Sequence, residues 1–219
     1  IARFVDVNQA MALEPGELEV DPWAPLIYAS GDWPRFAERY GQATRESVLR
    51  FLTLDAEYPN SLVSCTRAAR ENARQVRQQS SSEMWEQLNT LYLRVRGTSL
   101  SEVWDAQPHD FLSSIKEGVH LFQGVTDSTL SHGEGWRFIQ LGRFLERSSA
   151  TAMLLDRHFG ERAALTAHGN ANLTPFPEVE SHGHYLDLVT LLKSCTAFEA
   201  YCKVYTAELR SDRILHFLL

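Results

Sequence analysis

Several kinds of protein are excluded by what this sequence lacks. No run of about 18 apolar residues occurs in its 219 positions, so no segment reads as a membrane-spanning helix. Cysteine is scarce: Cys65, Cys195 and Cys202 have no Cys-x-x-Cys spacing, and an odd number closes no disulfide framework, which predicts reduced thiols and a cytoplasmic protein. There is no Gly-x-Ser-x-Gly elbow, no phosphate-binding loop and no dinucleotide fingerprint, so no nucleotide or nicotinamide cofactor is expected. Positive charge is in deficit. A net charge of −7 argues against general binding to nucleic acid or to a membrane surface, because a polyanion needs a cationic footprint. Sustained strand alternation is missing as well.

What remains is helical. Apolar residues recur at intervals of three and four, and prolines, glycines and capping residues divide the chain into about nine helices. Asp21 before Pro22 opens one of them and Asp32 caps a short one; another covers about 43–54. Asn60 opens a long helix through Arg77. Ser80 with Glu83, and Ser99 with Glu102, have the spacing of capping boxes. Asp110 precedes a helix to about Leu130, and another runs from Trp136 to Phe159. Glu161–Ser181 reads as a long loop, and helices resume over 183–208 and from Ser211. Trp85, Leu88, Trp136, Phe138, Leu141, Leu145, Leu154 and Phe198 are the expected core. Ile1, Phe4, Val5, Met11 and Ala12 already keep helical spacing, and Leu218–Leu219 closes an apolar run, so the sequence reads as part of a longer chain.

The two halves resemble one another. Ala2–Asp6 matches Ala152–Asp156, Ser47–Leu52 matches Arg213–Leu218, and between them Phe36 and Tyr40 match Tyr201 and Tyr205. The order of these anchors predicts an all-α, multi-helix bundle with an internal duplication. It forms one domain over 1–219, with repeat halves at about 1–97 and 134–219 joined by helices in 98–133.

Two helical stretches carry unusual charge. Arg67, Arg70, Glu71, Arg74 and Arg77 recur at i+3 and i+4 and share a face. Guanidinium groups grip carboxylates and phosphates with a two-pronged fork, so such a row suits an acidic ligand; a solvated face bridged by Glu71 is the competing reading. The second stretch is Glu134–Arg147, where Trp136, Ile139, Arg143, Glu146 and Ala150 lie on one stripe. That placement carries Arg143 and Glu146 toward the core, where charges must be paired. Gly142 there is expected to let another helix approach closely. Glu117 and His120 have the Glu-x-x-His spacing of carboxylate-bridged metal sites, but no second such pair exists and no metal is expected. His132 with Glu134 reads as a loop pair. His168, His182 and His184 have no ligand spacing.

Five segments together resemble the bacterial alpha-E family: Arg70-Glu71-Asn72-Ala73-Arg74, Ser81–Glu86, Glu134-Gly135-Trp136, Leu141–Arg147 and Ala197–Tyr201. Met153 departs from the pattern, standing where the family usually has arginine. The resemblance implies an all-helical protein without a settled biochemical role. It also implies association with an ATP-grasp ligase-like protein and a transglutaminase-like protein. Three functions compete: a helical accessory protein of a peptide or amide ligase, an enzyme using paired Glu and Arg in a bundle cavity, and a scaffold. The residues expected to contact a ligand or partner are Arg70, Glu71, Arg74, Arg77, Glu83, Glu134, Arg143, Glu146 and Arg147. A homo-oligomer is compatible with all three, and no catalytic residue is assigned.

Overall fold

A computed structural model describes residues 1–12, 23–99, 101, 108–160, 182–206 and 208–219. Every regular element among them is helical: α1 (Ala2–Ala12), α2 (Ala24–Ser30), α3 (Trp33–Tyr40), α4 (Arg45–Thr53), α5 (Leu62–Gln75), α6 (Ser82–Gly97), α7 (Pro108–Thr129), α8 (Glu134–Leu155), α9 (His182–Ser194), α10 (Phe198–Tyr205) and α11 (Ser211–Leu218). A 3-10 turn at Arg77–Gln79 follows α5, and a π-turn at Asp156–Gly160 ends α8. The expected cap at Asp21, the short helix around Trp104 and the loop over Glu161–Ser181 lie outside the described residues. No described helix is long and apolar enough to cross a membrane.

Local chemistry sets most boundaries. Thr44 and Ser47 form a reciprocal cap at the start of α4: the Ser47 amide donates to Thr44 Oγ1 at 3.2 Å, and the Thr44 amide donates to Ser47 Oγ at 2.9 Å. Ser61, not Asn60, caps α5 by accepting from the Ser64 amide. Ser81, one residue past the expected Ser80, caps α6 by accepting from the Met84 amide. The helix expected over 183–208 is two helices, because Thr196 turns the chain at φ +57°.

The chain falls into two compact units. In the first, residues 1–6 and 36–145, α6 packs against α5 on one side and α7 on the other. Met84, Leu88, Leu91 and Val95 form its buried stripe, and Leu112 and Ile115 of α7 are buried too. Gly118 belongs to that contact, since a Cβ there would lie 2.9 Å from Leu91 Cδ1. Asp6 of α1 is buried and doubly bound by α7, with Lys116 Nζ at 2.5 Å and His109 Nδ1 at 2.7 Å. Asp55, also buried, ties the end of α3 to the chain after α4: Tyr40 Oη donates to it at 3.0 Å, the Glu57 amide at 2.9 Å, and Arg39 Nε lies 3.5 Å away. That hydrogen bond and burial both raise the Tyr40 phenol above its ordinary range, burial having the larger effect.

In the second unit, residues 7–35 and 146–219, α9 packs on α10 and α11. Leu188, Leu191, Leu192, Tyr201 and Ile214 form its centre. Leu154 is buried as expected, and Phe198 is half-buried. No disulfide joins Cys65, Cys195 and Cys202 to one another, and burial raises the Cys195 thiol above its usual range.

Three rings meet in a similar way in each unit, with Tyr58 stacked on Phe51 as a fourth in the first. Phe36, Tyr40 and Phe51 meet with centroids 5.3–5.9 Å apart, Phe51 standing edge-on to the other two. Tyr201, Tyr205 and Phe217 meet with centroids 5.0–6.2 Å apart, Phe217 again edge-on. Such pairs add about 0.5–1.5 kcal/mol each beyond the burial of their area. Backbone turns recur at the same places relative to these rings. Gly31 and Gly41 bracket α3 at φ +75° and +71°, and Thr196 and Thr206 bracket α10 at φ +57° and +58°.

Glycine tolerates such angles and threonine does not, because its branched Cβ crowds the backbone. Thr206, at φ +58° and ψ −154°, occupies a region that is nearly glycine-only, where strain is about 1–3 kcal/mol. Thr206→Gly relieves that strain at a smaller entropic cost. Urea denaturation should show the protein more stable by about 1 kcal/mol, and an unchanged or lowered midpoint would count against the strain.

Candidate functional site

The arginine row of α5 does not stand free in solvent. Arg70 lies between two aromatic rings of α6, its guanidinium carbon 5.3 Å from the Trp85 centroid and 5.0 Å from that of Tyr92. Its Nε donates to Asn89 Oδ1 at 2.7 Å. Arg77 covers Trp85 at 5.9 Å, and Arg96 covers Tyr92 at 5.9 Å. The result is a ladder in the order Arg77, Trp85, Arg70, Tyr92, Arg96. Trp85, Asn89, Tyr92 and Arg96 follow one another at helical intervals of four, three and four, which places them on one face beside the buried stripe. Trp85 is therefore half-buried, a platform for arginines and not the core residue its size suggests.

Sequence reading found the arginines and missed the rungs. Aromatics at helical spacing next to a buried stripe look like core, and only the crossing of α5 over α6 shows what they stack on. Arg77 also donates to the Ser80 carbonyl at 3.1 Å and lies 3.4 Å from Ser82 Oγ, holding the turn between the two helices. Arg67 donates to the Ala56 carbonyl at 3.3 Å.

Arg74 and Glu71 form a separate pair at the surface. Arg74 Nη2 lies 2.6 Å from Glu71 Oε1, and its Nε reaches both carboxylate oxygens at 3.0–3.1 Å. Their side chains are 62% and 45% exposed. The hydrogen bond from Arg74 holds Glu71 below the usual carboxylate range. The bridge is thus kept at neutral pH and lost as pH falls through that lowered value. Glu83 is exposed in the first turn of α6.

The second charged stretch departs from expectation. Almost all of α8 from Glu134 to Ala150 is exposed, and Arg143, Glu146 and Arg147 with it. Arg143 lies over the ring of its neighbour Phe144 at 5.1 Å, and Arg147 donates to the Cys195 carbonyl at 3.3 Å. Neither Arg143 nor Glu146 forms an ion pair among the described residues, and no salt bridge there joins them to Arg70, Glu71 or Arg74. The buried network read from the stripe is corrected: charge needs a partner only when water is removed, and here it is not. Four expected core positions of α8 are corrected likewise. Phe138 is 71% exposed, Leu145 62%, Leu141 is exposed and Trp136 is half-buried. A Cβ at Gly142 meets nothing within 4 Å, so that glycine serves no close helix contact among the described residues.

Glu134, also exposed, is the first residue of α8, where a negative charge favours the amide-rich helix start. His132 stacks on Trp136 at 4.3 Å instead of pairing with Glu134. Trp136 Nε1 and Gln140 Nε2 both donate to Asp127 Oδ1, at 2.8 and 3.2 Å, pinning the corner from α7 into α8. His120 Nε2 lies 3.5 Å from Arg3 Nη2, and no group of three or more His, Cys, Asp or Glu among the described residues could hold a metal.

These placements separate two substitutions. Arg70→Ala removes two ring contacts and a hydrogen bond and should cost about 1–3 kcal/mol in urea unfolding. Glu146→Ala, exposed and without an ion pair, should stay within about 0.5 kcal/mol of wild type. The reverse order of the two effects would contradict the exposure of α8 and the stacking of Arg70.

No curated protein and no solved structure matches the chain. Glu-Arg pairs occur at Glu38-Arg39 and Glu146-Arg147 among the described residues, and at Glu161-Arg162 outside them. The family model of Alpha-E, described as a predicted alpha-helical domain with a conserved ER motif, matches residues 1–219, and the chain belongs to the Alpha-E family.

Proposed function

We propose that this protein is a cytoplasmic helical accessory of an ATP-grasp-type peptide or amide ligase system, and that the α5–α6 face grips an acidic segment of the ligase or of its peptide. The observation that carries the reading is the arginine ladder. Stacking uses the flat faces of a guanidinium and leaves its N–H edge for a carboxylate, so Trp85 and Tyr92 pre-set Arg70 and its neighbours for fork-like binding. Apart from Lys116, Lys193 and Lys203, the basic residues of the chain are arginines, the side chain suited to this geometry. The resemblance to alpha-E proteins supplies the partner class, and a transglutaminase-like protein is a second partner in the same reading. The duplication belongs to it too: the paired ring clusters and bracketing turns support a common origin for α2–α4 and α9–α11, which superposition of the two segments tests.

Glu71 has a defined part in this reading. It occupies the fork of Arg74, so an incoming carboxylate must compete with it. Arg74→Ala should weaken binding of the ATP-grasp partner about tenfold or more, since a hydrogen bond to a charged group contributes about 1.5–3 kcal/mol. Arg74→Lys should also weaken it, because an ammonium lacks the fork. Glu71→Gln should act in the opposite direction, freeing Arg74 and tightening binding. Calorimetric titration of the partner against the four proteins measures all three effects. Equal affinities throughout would remove the ligand-binding role from this face, exposed pairs alone contributing about 0–1 kcal/mol.

A further inference from the structure

The buried carboxylate of Asp6 does more than fasten α1 to α7. Its Oδ1 lies 2.7 Å from His109 Nδ1, and on the other side of the ring His109 Nε2 lies 3.4 Å from Ser113 Oγ. Carboxylate, imidazole and hydroxyl are thus in series, the order of groups by which a weak alcohol nucleophile is activated. Two further observations set this serine apart. Several threonines in these helices donate back to the carbonyl four residues earlier (Thr66 to Leu62, Thr126 to Phe122, Thr129 to Val125 and Thr190 to Leu186), and the adjacent Ser114 donates to the Phe111 carbonyl. Ser113 turns instead to the imidazole one helical turn before it. The carboxyl end of the series is nearly out of water, with 10% of the Asp6 side chain exposed, whereas His109 is 67% exposed and open to a reactant.

We propose that Ser113 is a nucleophile that accepts an acyl group, with His109 as its general base and Asp6 as the residue that orients the imidazole. This site is independent of the arginine face and of the partner reading. Asp6 accepts the Nδ1 proton, which leaves the Nε2 lone pair toward Ser113. Lys116 Nζ lies 2.5 Å from the other carboxylate oxygen and so leaves the one facing the ring to His109. As Oγ attacks the acyl carbon, the C–O bond forms, the bond to the leaving group breaks, and the serine proton passes through Nε2 to that group. Water then repeats the sequence, giving up a proton through Nε2 to the departing Oγ and releasing the acid. The amides of Ser113 and Ser114 are committed to helical carbonyls, so neither is left to receive an oxyanion. The substrate class follows: acyl donors whose leaving groups depart readily, such as thioesters and aryl esters.

A fluorophosphonate probe tests the site directly, because attack forms the P–O bond, breaks P–F and releases the serine proton with fluoride. The expected result is one phosphonyl group on the peptide containing Ser113, located by mass spectrometry, and none in Ser113→Ala. His109→Gln, with Lys116 still holding Asp6, should slow labelling about 100-fold, while Ser114→Ala should label like wild type. No labelling, labelling elsewhere, or an undiminished rate in His109→Gln would overturn the proposal.

Discussion

Helix α6 is covered on two sides by different chemistry, and the first unit is built outward from that fact. Its apolar stripe of Met84, Leu88, Leu91 and Val95 faces α7, and its neighbouring stripe of Trp85, Asn89 and Tyr92 takes the arginines of α5. A guanidinium is weakly hydrated and planar, so it can replace an aliphatic side chain against a ring without giving up its charge. The second contact therefore holds two helices together while leaving the outer surface cationic. With α7 seated, its other residues gain fixed partners. His109 and Lys116 meet Asp6, and the far end of the same helix sets Asp127 beneath Trp136.

Much of this could be read from the sequence, for reasons that differ by element. Caps and periodicity locate α4, α5 and α6 to within a residue or two, because their determinants are local: Ser61 and Ser81 each bond to an amide three residues on. The break between α9 and α10 escaped because threonine carries no turn preference. Gly31 and Gly41 announce the turns around α3, whereas Thr196 and Thr206 take positive φ with no such signal in their residue type. In the sequence Asp6 stands out only through the likeness of Ala2–Asp6 to Ala152–Asp156. Its partners lie more than a hundred residues away, beyond the reach of any local pattern.

The site divides along the same line. Shared helical spacing was enough to group Arg70, Glu71, Arg74 and Arg77, and the structure adds that these four play different parts: Arg70 and Arg77 stack, while Glu71 and Arg74 bind each other. Arg143 and Glu146 differ from expectation because an apolar stripe does not by itself imply cover. A stripe records a preference for burial, and the preference is not met for Phe138, Leu141 and Leu145. Met153 also has a place here. Its Cε lies 2.9 Å from where a Gly31 Cβ would be, so this side chain packs against a backbone turn.

The uncovered row on α8 has a bearing on how the protein behaves in solution. Phe138, Leu141 and Leu145 are wet in the folded chain, so agents that make apolar hydration costlier act on them between molecules. Sulfate and phosphate salts, usually chosen to firm up a fold, also raise the cost of leaving that row wet. Chloride at moderate strength leaves the row wet but screens the net charge of −7 that keeps molecules apart. Dilute, low-salt buffer above the isoelectric point, which lies near pH 5.6, is the medium in which charge repulsion best opposes contact through that row.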